Sequence, residues 1–111
     1  MRNSKLSTIE EFQKVLETQT KFILIKHSLT CPISQEAYEE YGKFTENNEI
    51  PSYYLFVQEA RPLSNFIAET FEVKHESPQT LLFTDGRVQW HASHWNITEG
   101  KIKEALETAL S

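Results

Sequence analysis

The stretch Lys26-His27-Ser28-Leu29-Thr30-Cys31-Pro32-Ile33-Ser34 decides how this chain is read. The apolar run Phe22-Ile23-Leu24-Ile25 leads into it and has the character of a short buried strand, while the residues after Cys31 repeat with the period of a helix. Cys31 therefore falls at a strand-to-helix turn, with its thiol at a helix N-terminus. Unpaired backbone N–H groups and the positive end of the helix dipole favour an anion there, and thiolates so placed have pKa values well below the ~8.5 of a free cysteine. Pro32 suits the first helical position, because its fixed φ is helical and the donor it lacks would have had no partner. The expected result is an outward-facing, reactive thiolate.

The rest of the composition sets the surroundings of that thiol. At 111 residues, 39% hydrophobic and 24% charged, the chain has the size and make-up of one compact domain over residues 1–111. A net charge of -5, with no run of Lys or Arg, argues against nucleic acid or an anionic membrane surface as the main partner. No apolar run approaches the roughly 18 residues of a membrane span, and Met1–Lys5 leads into an amphipathic pattern instead of a signal-peptide core. A cytoplasmic protein is expected. The single cysteine forbids an internal disulfide and suits a reducing compartment.

Outward from the central stretch, the elements follow from periodicity and punctuation. Ile9, Phe12 and Leu16 predict an amphipathic helix over 8–19, with Ser7 or Thr8 as N-cap. After Cys31, the residues Ile33, Ala37, Tyr41 and Phe44 share one helix face that ends before Asn47-Asn48. Ser52–Val57 reads as a strand, joined to strand 22–27 by a parallel right-handed crossover. Arg61-Pro62 opens a helix with Leu63, Phe66, Ile67 and Phe71 on one face. Beyond the break at Ser77-Pro78, Thr80–Thr84 and Val88–His91 flank Asp85-Gly86, a strong hairpin signal. Asn96 and Thr98 offer N-caps for a last helix whose face carries Ile102, Ala105, Leu106 and Ala109.

This order, αβαβαββα, with a cysteine after the first strand and a proline before the third, resembles the thioredoxin-like α/β fold, a central four-stranded mixed sheet flanked by helices. More narrowly, residues 26–34 together with Trp90-His91-Ala92-Ser93-His94-Trp95-Asn96-Ile97-Thr98 resemble the YtxJ-type monothiol bacilliredoxin family, whose hallmark is Thr-Cys-Pro-Ile-Ser. The resemblance implies a thiol–disulfide oxidoreductase with no bound cofactor and no metal, which uses bacillithiol as co-substrate and removes it from S-bacillithiolated client proteins through a Cys31 mixed disulfide. It places Ser34 where a two-cysteine thioredoxin carries its resolving thiol. It makes Ser77-Pro78 a cis bond against the cysteine, with the Ser77 backbone available to an extended substrate. By analogy with glutaredoxins, it makes the helix start near Asn96, Ile97 and Thr98, with His94 upstream, a holder for a carboxylate of the small thiol.

Each of these residues also has a plainer reading. Cys31 as a buried structural thiol conflicts with its turn and with Pro32. Ser34 is also a first-turn polar residue able to bond free backbone groups. Thr30 could donate to the sulfur or cap the helix, and His27 or Lys26 could favour the thiolate if its side chain faces the cysteine. His91 and His94 do not make a closed zinc set, and packing is expected of Trp90 and Trp95. Asn96-Ile97-Thr98 matches a glycosylation sequon but is explained by capping. Glu10-Glu11 and Glu39-Glu40 belong to solvent faces. Two rival functions remain at this stage: a non-catalytic redox-sensing interaction module, and a monothiol glutaredoxin-like iron–sulfur carrier, against which Pro32 counts.

Overall fold

The computed structural model describes residues 3–30 and 32–110. Its elements are β1 (Asn3–Lys5), α1 (Ile9–Thr18), β2 (Lys21–His27), α2 (Pro32–Glu46), β3 (Ser52–Phe56), α3 (Arg61–Phe71), β4 (Gln79–Thr84), β5 (Arg87–Ser93), one 3-10 turn (His94–Asn96) and α4 (Glu99–Leu110). One sheet of five strands runs β1-β3-β2-β4-β5, parallel on the β1, β3 and β2 side and antiparallel from β2 through β4 to β5.

The expected four-stranded sheet thus has a fifth, edge strand. β1 is three polar residues with no alternation, and its pairing Asn3↔Ser52 to Lys5↔Tyr54 is secured by long-range contacts at its end. Leu6 is buried, its N–H donates to Tyr54 O at 2.8 Å, and Lys5 reaches Glu59 at 2.7 Å and lies over the Phe56 ring. Tertiary pairing overrides weak local preference here.

β2 lies at the centre and is buried on both faces, which is why Phe22–Ile25 reads as a continuous apolar run. Phe22 and Leu24 face α1 and α3, where Phe12 meets Phe22, Phe66, Phe71 and Phe83 edge-on and Phe22 stacks on Phe83 at 4.5 Å. Ile23 and Ile25 face α2 and α4, against Ala37, Tyr41, Phe44, Leu82, Ile97 and Ile102. The side chain of Ala109 lies outside the described residues. The Tyr41 hydroxyl fixes α2 on the sheet, sitting 3.0 Å from Ile23 O and 2.6 Å from Tyr53 O and accepting the Tyr53 N–H.

Local signals set the ends of these elements. Thr8 and Glu11 form a capping box at α1, of the two caps the sequence offered. Asp85 and Gly86 both have positive φ, 51° and 77°, the backbone of a type I′ hairpin turn, which glycine adopts without strain. At the far end, Thr98 Oγ1 accepts the Lys101 N–H and caps α4, whereas Asn96 belongs to the 3-10 turn and binds only Lys101 Nζ, at 3.0 Å. Of the two caps expected at this helix, only Thr98 serves.

Candidate active site

β2 ends at His27 and α2 begins at Pro32, so the turn that carries Cys31 is bounded by two firmly packed elements. Cys31 itself lies outside the described residues. Pro32 is the first residue of α2, the position its φ suits. Ser34 is fully buried in the first turn, and its Oγ accepts the Ser28 N–H at 3.2 Å, closing the turn from the helix side. Gln58, which no sequence pattern singled out, closes it from the other side. Its Oε1 accepts the Leu29 N–H at 3.1 Å, and its Nε2 donates to Ser28 Oγ at 2.9 Å and reaches Thr30 Oγ1 at 3.3 Å. Gln58 is remote in sequence and stands on the turn after β3, so only the parallel β2–β3 pairing brings it here. Thr30 is exposed and tied to Gln58 and Ser28.

Neither basic residue before the turn supplies charge on its α2 side. The strand alternates, so Lys26 points to the α3 face, where its Nζ donates to Ser64 O at 3.1 Å. His27 points to the α2 face, packed between Tyr38 and Phe56 at 4.7 and 5.6 Å. Burial holds its pKa below the ordinary value, against a smaller opposing effect of the Ser34 backbone, so the ring is neutral at pH 7. The donor field of the α2 N-terminus is then what remains to favour an anion in the turn.

The antiparallel pairing of β2 with β4 brings the second segment alongside. Lys26 pairs with Gln79, and the Ser77–Pro78 bond just before it is cis. Pro78 is buried, and its carbonyl accepts the His94 N–H at 3.1 Å. Glu76 reaches the same region, accepting from Ser93 Oγ at 2.7 Å with His94 Nδ1 at 3.9 Å. Four of the five buried side-chain polar atoms that lack a partner among the described residues, His27 Nδ1, Ser77 Oγ, Gln79 Oε1 and Thr80 Oγ1, cluster at these adjoining strand ends.

A groove of about 150 Å³ runs from the first turns of α2, at Ile33, Glu36, Ala37 and Glu40, to His94, Trp95, Ile97 and Thr98. His94 and Thr98 therefore stand beside the thiol-bearing helix; Asn96 does not line the groove. Trp90 packs on the α4 side of the sheet, but Trp95, for which packing was expected, is 65% exposed at the groove. His94, just before it, has a left-handed backbone with φ 55°. At the start of α4, where a carboxylate site is expected, two of the N–H groups already have acceptors within the protein. Glu40 Oε1 accepts the Glu99 N–H at 3.0 Å, and Thr98 takes the Lys101 N–H, so a second carboxylate there would meet a like charge. Among the described residues, no group of His, Cys, Asp and Glu gathers to hold a metal ion, and no helix is long and apolar enough to cross a membrane.

Comparison with known proteins gives the same architecture. A thioredoxin-fold protein described as a candidate oxidoreductase is 40% identical, with a TM-score of 0.90, over 94% of this chain and 93% of that one. Mitochondrial thioredoxin 3 from Saccharomyces cerevisiae, 16% identical, superposes with a TM-score of 0.75 over 95% and 93% of the two chains. A Schistosoma mansoni thioredoxin, 9% identical, gives 0.77 over 96% and 95%. These last two show a shared fold. The family model for the monothiol bacilliredoxin BrxC matches residues 4–102, a span that holds the cysteine turn, the Ser77-Pro78 segment and the groove. The chain thus has the thioredoxin fold and belongs to the monothiol bacilliredoxin family, a family of thiol oxidoreductases.

Proposed function

We propose that the chain removes bacillithiol from S-bacillithiolated proteins. The Cys31 thiolate attacks the bacillithiol sulfur of the protein mixed disulfide. The protein–bacillithiol S–S bond breaks, the protein thiolate leaves and takes a proton from solvent, and Cys31 is left disulfide-bonded to bacillithiol. A second bacillithiol thiolate then attacks the bacillithiol sulfur of that adduct, releasing bacillithiol disulfide and restoring the Cys31 thiolate. In the net reaction one free bacillithiol thiol is oxidised, joining the bacillithiol taken from the client in one disulfide, and the client sulfur is reduced to a thiol. No metal or nucleotide takes part.

One observation carries this reading over a dithiol mechanism. The chain has a single cysteine, and the residue one helical turn on is Ser34, buried and engaged with the Ser28 N–H. An adduct on Cys31 has no internal thiol to resolve it and must wait for an external one. The clients are cytoplasmic proteins modified by the small thiol, in keeping with a reduced lone cysteine.

Intact-mass analysis tests the proposal. Incubation with bacillithiol disulfide should add one bacillithiol to the wild type and none to Cys31→Ala, and bacillithiol should then remove it. A wild type that leaves a bacillithiolated protein unchanged while remaining alkylatable at Cys31 would reject the exchange reaction in favour of a non-catalytic role.

A further inference from the structure

Lys26 is fully buried near the end of β2, yet no carboxylate among the described residues pairs with it. Its Nζ donates to Ser64 O of α3 at 3.1 Å and lies 3.4 Å from His75 Nδ1. Ser64 Oγ stands 3.1 Å from the same nitrogen. A charged Lys26 can only donate, so in that contact Nδ1 is the acceptor and the neutral ring carries its proton on Nε2. Burial and the nearby cations of Lys26 and Arg61 hold the His75 pKa below its ordinary value, opposed by Glu76, so the ring stays neutral.

The segment to which His75 belongs is tied at three successive residues. Lys74 O accepts from Gln79 Nε2 at 3.0 Å, His75 meets β2 and α3, and Glu76 meets Ser93. Ser77 comes next. Among the described residues its hydroxyl is buried without a partner, and its main chain makes neither a β4 ladder bond nor a loop hydrogen bond. Polar main-chain groups held free beside the start of a strand are what an extended peptide pairs with. A buried amine without a counter-ion lowers stability relative to an apolar residue of the same length, so packing does not account for Lys26.

We propose that Lys26, with Ser64, is a positioning residue of the Cys31 site: it holds His75, and through it residues 74–77, so that the Ser77 main chain is presented to an extended stretch of substrate protein. This deepens the exchange reaction proposed above and rests on it for the identity of the substrate. The clamp acts on polypeptide substrates, since a small disulfide has no backbone to pair.

Lys26→Met keeps the length and removes the donor. Amide hydrogen exchange of residues 74–77 should rise about tenfold while Leu81–Phe83 stay protected. KM for a bacillithiolated decapeptide should rise about tenfold, with the rate on hydroxyethyl disulfide within about twofold of wild type. Lys26→Gln, which keeps a donor, should recover part of both losses. Ser64→Ala removes only the hydroxyl that meets His75; it should move both readouts the same way by less, and it decides the matter if Lys26→Met does not fold. Unchanged exchange at 74–77, or equal losses on peptide and hydroxyethyl disulfide, would overturn the proposal. If the wild type fails to act on the peptide at all, the exchange function falls, and amide exchange alone then decides whether the clamp exists.

Discussion

Glu40 of α2 caps α4: its Oε1 accepts the Glu99 N–H at 3.0 Å while its Oε2 accepts from Lys43 Nζ at 2.9 Å. The helix that carries the thiol turn is thereby joined to the helix behind the groove, and the anion at the start of α4 is the protein's own. The Glu99 N–H foremost, with Lys43 assisting, holds the Glu40 carboxyl below its ordinary 4.5. Glu40→Ala should cost about 1 kcal/mol in urea unfolding at pH 7. A carboxyl depressed in the folded state contributes stability above the unfolded pKa and loses it as pH falls through the folded one. The gap between wild type and variant should therefore close below pH 4.5. A gap that persists there would mean packing and not charge.

Thr98 acts beside it as a cap. Thr98→Ala should cost about 1 kcal/mol and slow exchange with bacillithiol mixed disulfides and with hydroxyethyl disulfide by the same factor. Steady-state rates on the two substrates check this; a loss confined to bacillithiol would restore the helix start as a binding site for that thiol.

Lys26 gives a stability prediction of opposite sign to its proposed effect on KM. Burial lowers its pKa from 10.5 to about 8. Below pH 8 the folded protein carries the full cost of a buried cation, and between about 8 and 10.5 the unfolded chain binds more protons, so wild-type stability rises through that window. Lys26→Met should be more stable than wild type at pH 7 by about 1–3 kcal/mol, with the difference shrinking toward pH 10. Denaturant midpoints against pH read this directly, and a less stable variant at pH 7 would show that the Ser64 and His75 contacts outweigh the burial.

Cys31 should titrate below a free thiol. With His27 neutral and Lys26 turned to α3, the α2 N-terminus is the source of the shift. The rate of iodoacetamide alkylation against pH should have its midpoint below ~8.5; a midpoint at or above that value rejects an activated thiolate.

Ser34 supports two substitutions with different outcomes. Ser34→Ala leaves the buried Ser28 N–H without its acceptor and should cost about 1–3 kcal/mol. Ser34→Cys places a second thiol one helical turn after Cys31, and after turnover an internal disulfide should accumulate. Mass spectrometry that finds only the external mixed disulfide would mean that the two side chains do not meet.

The sequence by itself determined the helices, the four longer strands and the hairpin. Those features rest on local causes: period 3.6 or a continuous apolar run, Pro32 and Pro62 inside helix starts, Thr8 before a helix, Asp85-Gly86 between strands. Three decisions belonged to tertiary structure. β1 is a strand only because β3 offers it an edge, since Asn3-Ser4-Lys5 has no strand preference of its own. That neither Lys26 nor His27 brings charge to the α2 side of the turn depended on which sheet face each occupies, and the faces are assigned by packing of α2 and α3 and not by residue type. Gln58, Glu40 and His75 take their places through contacts between chain segments far apart in sequence, to Leu29, Glu99 and Lys26. An isolated polar side chain has no period and no local partner to reveal it; its meaning arises only when folding removes water and leaves it one available neighbour.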